Sequence, residues 1–415
     1  MTSSHRSVVP VPGPTSASPR REAFLDGLRG LAALYVVLHH AFLEVGHLPG
    51  GHGGAAAAAV FQLGRLSVAV FIVLSGYCLT ASANRSGTLG VGSLPRFLAR
   101  RAWRILPPYY AALALSLACI LVFPKLDHRT GGHWDITLPV TIGSLGAHLL
   151  MIHNLSAAWV YKANHALWSV ATECQIYVLF PILLLPCVRR LGVMTAVVGT
   201  CALGIAAHYA LPSLDDARPW YLGLFAIGMA TALAAKRSDS PTAGAPRRWG
   251  RWTLALIALT LALAAANGRL KHHPWAIDLS TGVAAAALIL YCRSLPRPTT
   301  GRRPAALAVL ESPPAVWLGV VSYSLYLIHP PVLAAIHQWL RTAGGSDLRQ
   351  FGGMLTLGTA ASLLAGAAFF HLVESYFMPG RSAAGRPAPH ASPAPVAGGV
   401  GIPLPLTMPG VPANG

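Results

Sequence analysis

The sequence predicts an all-α, polytopic integral membrane protein of about ten transmembrane helices, with both termini cytoplasmic. The first reason is composition: 54% of residues are hydrophobic and only 11% charged, with a mean hydropathy of +0.53. A soluble domain carries about 25% charged residues. The second is length, because apolar runs of about 17–25 residues recur, enough to cross a hydrocarbon core about 30 Å thick. The third is charge placement. With the N-terminus inside, 21 of the 31 Lys and Arg fall in cytoplasmic segments and 8 in outer ones. That excess is the positive-inside pattern. The net charge of +18 therefore reflects topology and not a nucleic-acid partner.

Taken in order, residues 1–20 read as a Ser/Pro/Val-rich disordered tail, 21–378 as one transmembrane domain, and 379–415 as a Pro/Gly/Ala-rich disordered tail. Spans are expected at 24–43, 60–81, 105–123, 168–188, 191–210, 219–236, 252–267, 276–292, 316–340 and 353–377. The 252–267 run is short. The stretch PVTIGSLGAHLLMIH (139–153) fits a re-entrant or interfacial segment as well as a crossing. Arg29 interrupts the first run and a long leader precedes it, so an uncleaved helix is favoured over a signal peptide. The connectors 82–104, 237–251 and 293–315 inside, and 124–167 outside, are too short for a second domain. Six cysteines lie in or beside spans, with no CxxC or zinc spacing. They read as packing residues, and no metal site is expected.

Charges inside these runs need a reason, because ionisable groups are expensive in lipid and usually mark a pathway or site. FLDGLRGLAALYVVLHH (24–40) carries Asp26, Arg29, His39 and His40. Arg29 and His40 are eleven residues apart, which at about 100° per residue puts them on one face, about 16 Å apart along the axis. His39 is rotated away by about a quarter turn. FIVLSGY (71–77) brings Ser75 and Gly76 into the second span. RFLARRAWRILPPYY (96–110) runs an arginine cluster into a Pro-Pro break expected at a helix start. LWSVATECQIYVLFP (167–181) carries Trp168, Ser169, Glu173 and Tyr177, and Glu173 is the only acid of its span. WYLGLFAIGMATA (220–232) has the small residues that let helices approach closely. LGVVSYSLYLIHP (318–330) supplies Ser322, Tyr323, Tyr326 and His329.

Singly, each has an ordinary reading. Serines bond helix backbones, tyrosines anchor at interfaces, arginines hold lipid headgroups, and His329 before Pro330 and Pro331 ends a helix. In this order, however, DGLRG with His40, FIVLSGY, RILPPYY, WSVATE and SYSLYLIH together resemble the acyltransferase family 3 of membrane proteins, with its Arg-x10-His signature. The resemblance covers roughly residues 22–378. Tyr77 stands where the family often has phenylalanine. Membership implies transfer of an acyl group, often acetyl from acetyl-CoA, to a hydroxyl of a sugar or other acceptor. Some members carry a further soluble, esterase-like domain; here the Pro/Gly/Ala-rich tail follows the membrane part.

The chemistry follows from the side chains. A hydroxyl needs a base to attack a thioester, and histidine is the side chain best matched to neutral pH. His40 is therefore expected as the base, with Glu173, if close, orienting its ring as the acid does in a triad. Arg29 would bind a donor phosphate or stabilise the oxyanion. Arg100, Arg101 and Arg104 would meet the phosphates of acyl-CoA, a co-substrate and not a bound cofactor. Asp26, Ser75, Trp168, Ser169, Ser322, Tyr323, Tyr326 and His329 are left as acceptor-binding or structural polar residues. The Ala/Gly/Arg/Pro-rich composition suits a high-GC bacterium, with the protein in its cytoplasmic (inner) membrane and a glycan, glycolipid or macrolide-type acceptor. A secondary transporter also uses buried His, Glu and Arg, but often shows inverted repeats, and none is visible here. A lipid-binding scaffold would leave the Arg29–His40 stripe unexplained.

Overall fold

The computed structural model describes residues 22–46, 60–84, 90–129, 131–237, 245–266, 272–297 and 302–378; both expected tails lie outside them. Among the described residues there are helices and no strands. Ten long helices follow the expected order. They are α1 (Ala23–Val45), α2 (Leu66–Ala83), α3 (Leu94–Val122), α4 (Trp168–Leu191), α5 (Val193–Ala210) and α6 (Tyr221–Arg237). Then come α7 (Ala245–Ala265), α8 (Pro274–Ser294), α9 (Pro313–Ala343) and α10 (Asp347–Leu372).

Eight of the ten are long and apolar enough to cross a membrane, so the protein is a multi-pass membrane protein. The two others are α6, which is 17 residues long, and α7, whose first two turns carry Arg247, Arg248 and Arg251. The 139–153 stretch resolves as a capped helix of only 8 residues, Ile142–Leu149, about 12 Å long and too short to cross. Ile142 and Leu150 are exposed, as expected of an element lying at an interface.

Two proline pairs lie inside helices: a break was expected at Pro107 and Pro108, whereas the expected span 316–340 already ran through Pro330 and Pro331. Neither breaks its helix: Pro107 and Pro108 lie inside α3, and Pro330 and Pro331 inside α9. The arginine cluster is therefore helical and continuous with the span, and His329 is mid-helix. Proline offers no N–H to the carbonyl four residues earlier, so Pro331 leaves the Leu327 carbonyl without its helical donor. Asn164, fully buried on the segment before α4, supplies one at 2.9 Å. A defect written into α9 thus fixes where the 160s loop sits.

The helices close through backbone contact. α1 lies along α9 and α6 along α2. A Cβ on Gly319 would come 2.0 Å from the Asp26 carbonyl oxygen, and one on Gly228 would come 2.2 Å from that of Val73. Large apolar side chains such as Leu121, Val198, Leu254 and Leu364 point outward, where lipid replaces protein contact. Gly228→Ala is expected to lower the melting temperature, since overpacking costs about 1–3 kcal/mol. Helix propensity alone predicts the reverse, a gain of about 1 kcal/mol. A variant that melts with or above the parent would show that α2 and α6 do not touch there.

Candidate active site

α1 joins two polar regions. At one end a cavity of about 730 Å³ opens between α1, α2, α3, α4, α8 and α9, with Arg29, Arg101, Arg104 and Arg293 in its wall. Arg29 pairs with Asp26 one turn before it at 3.4 Å, and its Nη2 lies 3.9 Å from Cys78 Sγ. Arg293 donates to Glu22 and, at 3.2 Å, to the Tyr77 hydroxyl, which donates to Glu22 at 3.0 Å. Arg101 and Arg104 enter from consecutive turns of α3, and the buried Arg101 Nε has no hydrogen-bond partner among the described residues. Arg100 is exposed and outside the cavity lining. The helix thus splits the expected cluster, two guanidiniums inward and one outward.

Farther along the cavity, Glu173 accepts from Ser75 Oγ at 2.6 Å and from the Tyr177 hydroxyl one turn on. This is not the role expected for Glu173 beside His40. It sits five residues, about 7.5 Å, along α4 from Trp168, level with Ser75 and not with the histidine. Ser169 meets the Tyr326 hydroxyl at 2.6 Å. Both line the cavity, and the Tyr326 ring lies 5.9 Å from that of His329. Ser322 and Tyr323 line it too, with their hydroxyls donating to the Gly319 and Ile105 carbonyls. Trp168 is outside the lining and lies under the Arg218 guanidinium at 5.8 Å.

Beyond Tyr326 lies a nest of imidazoles. The ring of His40 is 4.9 Å from that of His329, 4.7 Å from His165 and 5.6 Å from His133. The hydrogen bonds assign tautomers to the neutral rings. His329 Nδ1 lies 3.1 Å from the Leu325 carbonyl, which can only accept, so Nδ1 carries the proton and Nε2 a lone pair. His40 Nδ1 lies 3.1 Å from that Nε2 and 3.0 Å from the Val36 carbonyl, so it too carries its proton. The Nε2 of His40 is left with a free lone pair, the state a general base needs. His39, whose ring is also 4.9 Å from that of His40, donates to the Phe61 carbonyl at 2.6 Å. Outside the spanning helices, burial lowers the pKa of His133, and lowers that of His165 well below the ordinary histidine value, with neighbouring imidazoles adding to the effect.

The structure thus brings Arg29, Arg101 and Arg104 together at one end, Glu173 with Ser75 in the middle, and His40 with His329 at the other. Sequence reasoning passed over Asn164, His165 and Arg293, and named Tyr177 without a role. The available signal was five histidines in the single connector 124–167.

A family model described as "Acyltransferase domain" matches residues 22–371. "Putative membrane-bound transacylase BcsY" of Komagataeibacter xylinus is 28% identical over 357 residues, which is 83% of this chain and 81% of that protein. "Putative O-acetyltransferase SACOL0978" of Staphylococcus aureus (strain COL) is 24% identical over 76% of this chain and 51% of its own length. "Putative peptidoglycan O-acetyltransferase YrhL" of Bacillus subtilis (strain 168) is 26% identical over 74% and 48%. The chain thus spans about half the length of the last two. No solved structure is significantly similar. The chain belongs to the acyltransferase family 3, and the protein is a membrane O-acyltransferase.

Proposed function

We propose that the protein transfers an acetyl group from acyl-CoA, bound at the arginine end, to a hydroxyl of a glycan, glycolipid or glycosylated small molecule at the histidine end. In this reading it lies in the cytoplasmic membrane, with the arginine end and both termini facing the cytoplasm. The supporting observation is one cavity that starts among four arginines and reaches Tyr326 beside the histidine nest. Guanidinium forks suit the phosphates of a nucleotide, and the rest of the cavity suits its acyl-bearing arm. The names of the Staphylococcus and Bacillus relatives favour acetyl as the group, and the Bacillus name favours a sugar hydroxyl as the acceptor.

His40 Nε2 takes the proton of the acceptor hydroxyl as its oxygen attacks the thioester carbonyl carbon. The tetrahedral intermediate expels the CoA thiolate, which receives that proton from His40. Arg29 is about 16 Å from this step along the helix axis, beyond the reach of one side chain. A role on the donor phosphates therefore fits it better than an oxyanion role. Purified protein with labelled acetyl-CoA and candidate acceptors tests the reading. Label on the acceptor with release of CoA is expected. Acceptor translocation in proteoliposomes with no CoA consumed would make the protein a transporter instead.

Two further outcomes follow. The double variant Arg101→Ala/Arg104→Ala should weaken donor binding by about tenfold or more per residue, since a charge-assisted contact contributes about 1.5–3 kcal/mol. Acceptor KM should be unchanged, and Arg100→Ala should behave as the parent. Unaltered donor affinity in the double variant would return these arginines to a topological role. Reporter fusions after residues 95, 245 and 300 should read cytoplasmic and one near 130 external. An external signal at 245 would invert the proposed orientation.

A further inference from the structure

Three imidazoles from separate parts of the chain converge in the nest: His40 on α1, His165 on the loop before α4 and His329 on α9. One ring nitrogen from each lies within 4.8 Å of the other two. His329 and His165 are buried, the latter 2% exposed. Neither ring nitrogen of His165 has a hydrogen-bond partner among the described residues. A buried polar group in that condition is costly unless something outside the chain satisfies it. His40 and His329 each rest Nδ1 against a backbone carbonyl of their own helix, the support that metal-bound histidines use to fix ring orientation. Asn164 pins the adjacent backbone to α9 and so delivers His165 to the same point.

We propose that His40, His165 and His329 form a binding site for a divalent transition-metal ion of the Zn²⁺ class, and that its occupancy switches the transferase off. An all-imidazole set selects Zn²⁺, Cu²⁺ or Ni²⁺ over Mg²⁺ and Ca²⁺, which prefer oxygen ligands. With Zn–N bonds of about 2.0–2.1 Å, tetrahedral ligand nitrogens stand about 3.3 Å apart. The rings must therefore close by an ångström or so, and no hydrogen bond among the described residues holds the His165 ring against that shift. Water completes the fourth position. Metal on either nitrogen of His40 leaves the proton on the other, so no lone pair remains to accept the proton of the incoming hydroxyl. Nothing is oxidised or reduced, and a chelator reverses the step. The metal site stands on geometry alone, whereas the inhibition rests on His40 being the base.

The test uses the full chain, purified in detergent and stripped with EDTA. Zn²⁺ binding is measured by competition with a chromophoric chelator, and Co²⁺ is added for its visible spectrum. One equivalent of Zn²⁺ should bind, and Co²⁺ should give intense four-coordinate bands. His165→Ala and His165→Gln should each weaken Zn²⁺ at least about tenfold, the lower end of the loss when even an outer-shell partner is removed. His165→Gln keeps the volume if the alanine variant fails to fold. No binding by the parent, or equal binding by folded variants, would overturn the site whether or not acetyl transfer has been detected. Saturating Zn²⁺ should slow transfer by the parent at least about a hundredfold, the lower end of what a general base contributes, and EDTA should restore it. A stripped enzyme that is inactive until Zn²⁺ is added would overturn the off-switch and make the ion a cofactor.

Discussion

His40→Ala should slow acyl transfer by about 10²–10⁴-fold, the contribution of a positioned general base, while the protein still inserts and binds acyl-CoA. Two features of the fold support this. The free Nε2 lone pair follows from the two carbonyls that hold the Nδ1 protons of His40 and His329. The arginines proposed to hold the donor lie at the other end of α1, so loss of donor binding is not expected. His40→Gln is the stricter variant, because it retains size and hydrogen bonding but cannot cycle a proton near neutral pH. His39→Ala should keep substantial activity, since its ring is committed to the Phe61 carbonyl beside Gly64. A folded His40→Gln enzyme as fast as the parent, with His39→Ala dead, would move the base to His39 and refute the assignment.

Asn164→Ala should cost both stability and activity. The side chain is fully buried, donates at 2.9 Å to both Ser116 Oγ and the Leu327 carbonyl, and accepts from the Ala166 amide at 3.0 Å. Each buried group left unsatisfied costs about 1–3 kcal/mol. Removing this clamp should lower the melting temperature and slow transfer through displacement of the histidine nest, with donor binding unchanged. Asn164→Asp should not rescue, because an ionised carboxylate cannot donate to Leu327. The causal link to proline is open to a direct test. Adding Pro331→Ala gives α9 its own N–H for the Leu327 carbonyl, so the double variant should recover part of the lost stability. If the second substitution restores nothing, the Asn164–Leu327 bond is not what holds the loop.

The sequence went furthest where one segment carries the information. Apolar runs gave the order of the helices, eight of them long and apolar enough to cross, because length and composition decide what a lipid core accepts. The Arg29–His40 stripe was legible because helical periodicity alone puts two residues eleven apart on one face. The family signature needed only the order of short motifs. The replacement for the donor that α9 lacks at Pro331 was not legible, since it comes from a distant segment. That donor, Asn164, is 163 residues from the carbonyl it serves.

Partnerships between helices were beyond any local pattern. Glu173 and His40 were joined in expectation because both are unusual in apolar sequence, yet depth along α4 gives Glu173 to Ser75 and Tyr177. Arg100, Arg101 and Arg104 form one cluster in sequence, but helical rotation turns only two of them into the cavity. Residues 40, 165 and 329 have no common motif and meet only because α1 packs along α9 through glycine contacts while Asn164 ties down the loop between them. Sequence by itself determined what each helix is and which faces are polar, since those depend on neighbours three to eleven residues away. Which polar face meets which was decided by tertiary packing, because that depends on helix depth, rotation and backbone approach between segments about a hundred or more residues apart.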